Sequence, residues 1–243
     1  MSPIQRAAPR RERARAATVE EIKQTALALM REHGTVEIRF ADIARAMEMT
    51  APALYRYFAD RDELLSALIT DAYDDLGRYV AQSQTAVADG GVGAAWLAAA
   101  QAYRSWAQRE PQQFALILGL PLPGYVAPED GPTTEAARRA LAQLSALFVQ
   151  ASATGQLRRP LARDVDRTIE ICMADKHGEF DIPIPAESFQ AMLHAWAALH
   201  GFTSLEAYGH LAWMAPEARD ALFVAQMRLV AEAAGLPPAV DAG

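Results

Sequence analysis

Three residues, Glu48, Met49 and Thr50, separate two apolar patterns that are each barely two turns long. Helices that short do not persist alone, so longer helices must brace them. The first pattern sets Phe40, Ile43, Ala44 and Met47 at spacings of three, four and seven and predicts a helix over about 40–47. The second predicts a helix from Ala51 to about Phe58, with Thr50 able to cap its amides and Pro52 in the first turn, where no donor is needed. Braces are expected on both sides. Ahead, Thr18 and Glu21 form a Thr-x-x-Glu capping box, Ile22, Ala26, Leu29 and Met30 share a face, and Gly34 ends a helix over 19–33. Behind, Asp60 and Glu63 form a second box, and a stripe from Leu64 to Leu76 persists until Gly90, which predicts a long helix joining two regions.

Helical periodicity continues over 94–109, near 112–118, and over 134–154, 163–178, 187–200, 204–213 and 217–234, with almost no strand-like alternation. The expected fold is all-α. Gly119 to Pro132, with three glycines and four prolines, is expected to be a loop. Half the chain is apolar (51% of 243 residues), enough for a real core in one large domain or two small ones. The single cysteine, Cys172, excludes an internal disulfide framework and a thiolate metal cage. The lone cysteine fits a reducing cytoplasm, the expected location, and no uncharged apolar run approaches the roughly 18 residues of a membrane span, so no membrane partner is expected.

Charge is uneven. Residues 1–58 carry ten Lys or Arg against seven Asp or Glu, whereas the remainder carries thirteen against twenty-three. A basic start on an acidic body suggests that one end alone meets a polyanion. The stretch 1–17 has five arginines and no apolar segment of the secretory kind, and is expected to be a flexible basic arm.

Two short helices joined by a tight turn, between a helix before and a helix after, is the arrangement that sets a second, exposed helix into the major groove of DNA. Leu54 and Phe58 can pack inward, whereas Thr50, Ala51, Ala53, Tyr55 and Tyr57 cannot all do so on two turns. Small residues at the start allow close approach to bases, and the hydroxyls and Arg56 can reach phosphates or base edges. An ordinary helical hairpin with two tyrosines at its rim fits the same pattern.

The stretch from Ile22 to Leu76, above all Asp42-Ile43-Ala44, Met49 to Phe58 and Arg61-Asp62-Glu63-Leu64-Leu65, resembles the DNA-binding domain of TetR-family transcriptional regulators. The resemblance implies DNA contacts from Arg39, Thr50, Ala51, Pro52, Ala53, Tyr55, Arg56, Tyr57 and Arg61. Three positions depart from the usual pattern: Arg39 stands where a Ser or Thr often caps helix two, Arg61 where a lysine often opens helix four, and Glu48 where the turn usually has glycine. A positive φ there would strain Glu48.

Ala99 to Gly155, with Tyr103, Arg104, Trp106, the Pro111-Gln112-Gln113-Phe114 step and Leu120 to Tyr125, resembles the regulatory domain of a subfamily named for a Trp, His, Gly motif, here Trp196, His200 and Gly201. It implies a helical domain with a small-molecule cavity, a homodimer formed through residues 187–200 and 217–234, and a ligand-responsive regulator, usually a repressor on a palindromic double-stranded operator, released by a small apolar or aromatic effector and associated with the nucleoid while on DNA. The residues themselves make Trp96, Tyr103 and Trp106 the first candidates for the effector, followed by Phe114, Met173 and Trp196, with His177 as a polar handle; core packing or a solvated helix end accounts for the same residues. The expected domains are a DNA-binding domain over 18–64, a regulatory and dimerisation domain over 65–236, and a disordered tail over 237–243.

His194 and His200 lie six apart on different helix faces, which argues against a shared metal site, and no cofactor is implied. A helical enzyme finds little support, since no Gly-x-Ser-x-Gly elbow, His-Glu-x-x-His or phosphate-binding glycine loop occurs and no catalytic residue is assigned. An architectural DNA binder without an effector is the remaining alternative.

Overall fold

The computed structural model describes residues 10–128, 130–180 and 184–239, with the side chains of 175–180 excepted. Among the described residues there are ten α-helices and no strand, as the periodicity requires: α1 Arg10–His33, α2 Phe40–Ala46, α3 Ala51–Leu54, α4 Arg61–Thr85, α5 Gly91–Arg109, α6 Pro111–Leu118, α7 Pro132–Ala153, α8 Arg167–Phe180, α9 Ala186–Ala207 and α10 Pro216–Ala233. None is long and apolar enough to cross a membrane among those residues.

Several boundaries differ from the sequence reading, each for a local reason. The first helix starts at Arg10, so residues 10–17 of the expected flexible arm are helical, and the Thr18 hydroxyl donates to the Ala14 carbonyl (3.1 Å) inside the helix rather than capping its start. Arg10 to Ala17 consists of good helix formers with no breaker, so nothing stops propagation at Thr18. The third helix is a single turn, after which Tyr57 and Phe58 both donate backbone N–H groups to the Leu54 carbonyl (2.9 and 3.1 Å). Thr50 sits at its N-cap in an extended conformation, but its side chain makes no capping bond. The box opening α4 is formed: the Glu63 N–H donates to Asp60 Oδ1 (2.8 Å), and the Glu63 carboxylate accepts from the Ala59 N–H. Helix α9 passes through Gly201 where a break was expected and replaces the separate pieces 187–200 and 204–213, because Phe202 and Thr203 bury into the core and the Thr203 hydroxyl bonds the Leu199 carbonyl (2.9 Å).

The chain forms two compact units, and their boundaries differ from a division at residue 64. The first combines the chain up to Tyr73 with Gln112–Ala136. Ile22, Ala26 and Met30 of α1, Ile43 of α2, Leu54 and Leu65 are almost wholly buried in one core, to which Leu116 and Leu122 from the later segment also belong. Two hydrogen bonds fasten that segment: the Tyr73 hydroxyl donates to the Ile117 carbonyl (2.9 Å), and the Ser66 and Tyr125 hydroxyls pair (3.0 Å).

The second unit combines Asp74–Pro111 with the chain from Ala137 onward. Helix α5 is its centre, with Trp96, Tyr103 and Trp106 buried along it. Gly77 of α4 lies against Ala140 of α7, where a Cβ would stand 3.1 Å from the Ala140 Cα, so those helices cross closely. The Arg104 guanidinium is buried, forks onto Glu206 at the end of α9 (2.6 Å twice), reaches Asp220 of α10 (2.8 Å) and lies over the Phe223 ring (4.8 Å). Residues 237–239, expected in a disordered tail, lie against Gly93 of α5, where a Cβ would collide with their backbone.

Candidate nucleic-acid interface

The geometry of the first unit's exposed face follows from two anchors. Leu54 and Phe58 are 1% and 5% exposed, and each such burial contributes about 1.5–3 kcal/mol. With these two fixed inward, Thr50, Ala51, Pro52, Tyr55 and Arg56 are exposed, and Ala53 and Tyr57 half-buried. The turn brings the segment round sharply. Met49 donates its N–H to the Ala44 carbonyl (2.8 Å) and Glu48 takes φ 53°, the single positive φ outside glycine among the described residues.

The tyrosines are held from two sides. Tyr55, 56% exposed, rests its ring on Phe40 of α2 (centroids 5.1 Å apart). Tyr57 packs partly on the core, and the Arg15 guanidinium lies 5.6 Å over its ring while donating through Nη2 to the Arg56 carbonyl (3.2 Å). Arg39 precedes α2, its highly exposed side chain turned onto Asp42 (2.7 Å), whose carboxyl that hydrogen bond holds below the usual carboxylate range; Arg45 adds a second ion pair (3.3 Å). Arg61 opens α4 and lies 3.8 Å from Asp62. All nine residues implied for DNA contact therefore stand on the turn, its helix or the two helix starts beside it.

Sequence reasoning did not single out Arg15 or Phe40 for this surface. Phe40 was read as core. For Arg15 the signal was present: the spacing Arg15, Val19, Ile22, Ala26, Met30 continues the buried face of α1 backwards once the helix is extended.

The residues expected to meet an effector are mostly spent on the protein. The Trp96 indole N–H donates to the Met227 carbonyl (2.9 Å) and that of Trp106 to Asp75 (2.8 Å), while the Tyr103 hydroxyl pairs with His200 Nδ1 (2.9 Å). Phe114 and Met173 are buried, Phe114 in the first unit and Met173 in the second. Trp196 stacks on His200 (5.6 Å), and its indole N–H is buried with no hydrogen-bond partner among the described residues. The His177 side chain lies outside the described residues. Among the described residues of the second unit, a surface cavity of about 350 Å³ lies between Gly93, Arg158, Arg228 and Pro237 and another of about 420 Å³ between Tyr79, Gln82, Gln101 and Ser105, and none of the expected residues lines either. Burial lowers the His200 pKa below its usual value, and no group of three or more His, Cys, Asp or Glu that could hold a metal ion occurs among the described residues.

Comparison with known proteins follows the same division. Residues 15–68 match the family described as bacterial regulatory proteins, tetR family, and residues 96–230 match the tetracyclin repressor-like C-terminal domain. The HTH-type transcriptional regulators Rv1816 of Mycobacterium tuberculosis and Mb1846 of Mycobacterium bovis are each 31% identical over 210 residues, covering 82% of this chain and 84% of theirs. The crystal structure of the regulatory protein SCO4313 superposes with a TM-score of 0.71 at 33% identity, over 92% of this chain and 98% of that one. A Rhodococcus sp. RHA1 protein shares the fold at 20% identity and a TM-score of 0.60, over 94% and 98%. The chain therefore belongs to the TetR family, and is a DNA-binding transcriptional regulator rather than an enzyme.

Proposed function

We propose that this regulator works in the cytoplasm as a homodimer on a palindromic operator, most simply as a repressor, and that a small apolar or aromatic effector releases it. The observation that carries the DNA part is the outward row Thr50, Ala51, Pro52, Tyr55 and Arg56 above the buried anchors Leu54 and Phe58. Small residues lead, so the backbone can approach base edges, while Tyr55 and Arg56 supply the longer polar reach; Arg39 and Arg61 stand at helix starts, where phosphates are met. Two such segments about 34–36 Å apart would enter successive major grooves.

Dimerisation is supported by α10, where Ala218, Leu222, Ala225 and Leu229 form an exposed stripe at spacings of four, three and four, and by Gly201 of α9, around which a Cβ would meet nothing within 4 Å. The Trp196 indole N–H, buried without a partner among the described residues, supports an effector with a hydrogen-bond acceptor. A second reading, a DNA-binding dimer without an effector, is favoured by the bonds that Trp96, Tyr103 and Trp106 already make within the protein.

The test is binding to DNA from upstream of the protein's own coding region, against scrambled DNA, over a salt series. Specific binding with a steep salt slope is expected from the unaltered chain. Tyr55→Ala and Arg56→Ala should each lose at least tenfold in affinity while the sedimentation behaviour stays unchanged. Undiminished affinity in both would remove the recognition surface from this segment. Addition of a true effector should raise the melting temperature and weaken DNA binding together, whereas the second reading expects no such compound.

A further inference from the structure

The first two turns of α1 are fastened to the recognition segment through the Arg15 side chain. Helix α1 buries Ile22, Ala26 and Met30, with Val19 partly buried against the same core. Counting back along that face, the next position is Arg15, beyond the edge of the core. The Arg15 guanidinium lies over the Tyr57 ring (5.6 Å) and its Nη2 donates to the Arg56 carbonyl (3.2 Å). The receiving segment is weakly built. Helix α3 is one turn, its N-cap hydroxyl makes no capping bond, and the chain through Tyr55, Arg56 and Tyr57 is a turn beyond its last residue.

We propose that Arg15 is a positioning residue for DNA recognition: by closing the carbonyl end of the segment and covering Tyr57, it fixes the direction in which Tyr55 and Arg56 project. This rests on the recognition surface proposed above. Its guanidinium is engaged with the protein, so its effect on DNA goes through geometry rather than through a phosphate. Lysine keeps the charge but offers neither the planar fork nor the ring-stacking face, and therefore separates the two roles.

The probe is a duplex enriched from random-sequence DNA by the unaltered full-length protein, together with a copy carrying one changed base pair. Arg15→Lys should bind the enriched duplex about tenfold more weakly, with the salt slope unchanged and with reduced discrimination between the two duplexes. In a Tyr57→Leu background the same change should cost less than in the unaltered chain, because one of the two contacts through which Arg15 acts, the ring, is gone. Arg15→Lys with unaltered affinity would overturn the proposal. So would full additivity with Tyr57→Leu, or a salt slope shallower by about 0.9 in Arg15→Ala, the mark of one lost phosphate contact. Arg15 is exposed and both variants should keep their far-UV circular dichroism; loss of the fold would make Arg15 a stability residue and overturn the positioning role. Failure to enrich any duplex would instead remove the recognition reading itself, a distinguishable result.

Discussion

Glu48 holds a backbone conformation that its side chain disfavours. At φ 53° an L-residue with a Cβ loses about 1–2 kcal/mol, whereas glycine does not, although glycine returns about 0.5–1 kcal/mol through the greater freedom of its unfolded chain. Glu48→Gly should therefore stabilise the protein by about 0.5–1 kcal/mol, seen as a higher urea midpoint at unchanged slope; a lower midpoint would mean that Glu48 makes a compensating contact. The strain was legible in advance through the family resemblance alone, whose pattern has glycine where Glu48 stands. The Arg15 contact was not. It joins positions 41 residues apart and depends on the register of a helix whose start was placed at Thr18, and a capping-box pattern cannot show that the preceding arginines are themselves helical.

At the scale of elements, α9 and α10 carry the surfaces proposed for dimerisation. Periodicity identified both helices and their buried side, including Phe223 and Met227, since a repeat of 3.6 is a local signal. It did not show that α9 would run through Gly201, because a mid-helix glycine costs only about 1 kcal/mol and the burial of Phe202 and Thr203 outweighs that. Nor could it show that the aromatic row of α5 would find internal partners, for Trp96 reaches a carbonyl 131 residues away. If α10 forms the dimer contact, Leu222→Glu with Leu229→Glu should give a monomer in sedimentation with helix content retained, since both side chains are exposed in the single chain at 45% and 65%. A surviving dimer would place the contact on other helices.

At the scale of the whole molecule, acid acts first through a histidine and then through ion-paired carboxylates, of which Glu206 is the most buried in its contact. The folded state binds a proton at His200 less readily than the unfolded chain, so stability is fully present above the ordinary histidine value of 6.5 and declines as pH falls through it. The Arg104 fork holds Glu206 below its ordinary 4.5, and that contribution is lost as pH falls further. Urea midpoints measured against pH should therefore fall in two steps, and His200→Gln should remove the upper one alone. A flat profile between pH 7 and 5 would mean that His200 is as easily charged in the fold as out of it.

The DNA-reading unit, finally, is not one stretch of sequence. Part of its interior is supplied by Leu116 and Leu122, from a segment that returns after α5, and Ser66 and Tyr73 of α4 are hydrogen-bonded to that segment. Exchange of N-terminal halves between relatives, by recombination in nature or by grafting at the bench, would thus transfer the letters that read DNA without all of the material on which they stand. Lineages of such regulators should change operator most easily by altering the exposed row on α3 in place, and hybrids joined within α4 should inherit a specificity whose support still belongs to the other parent.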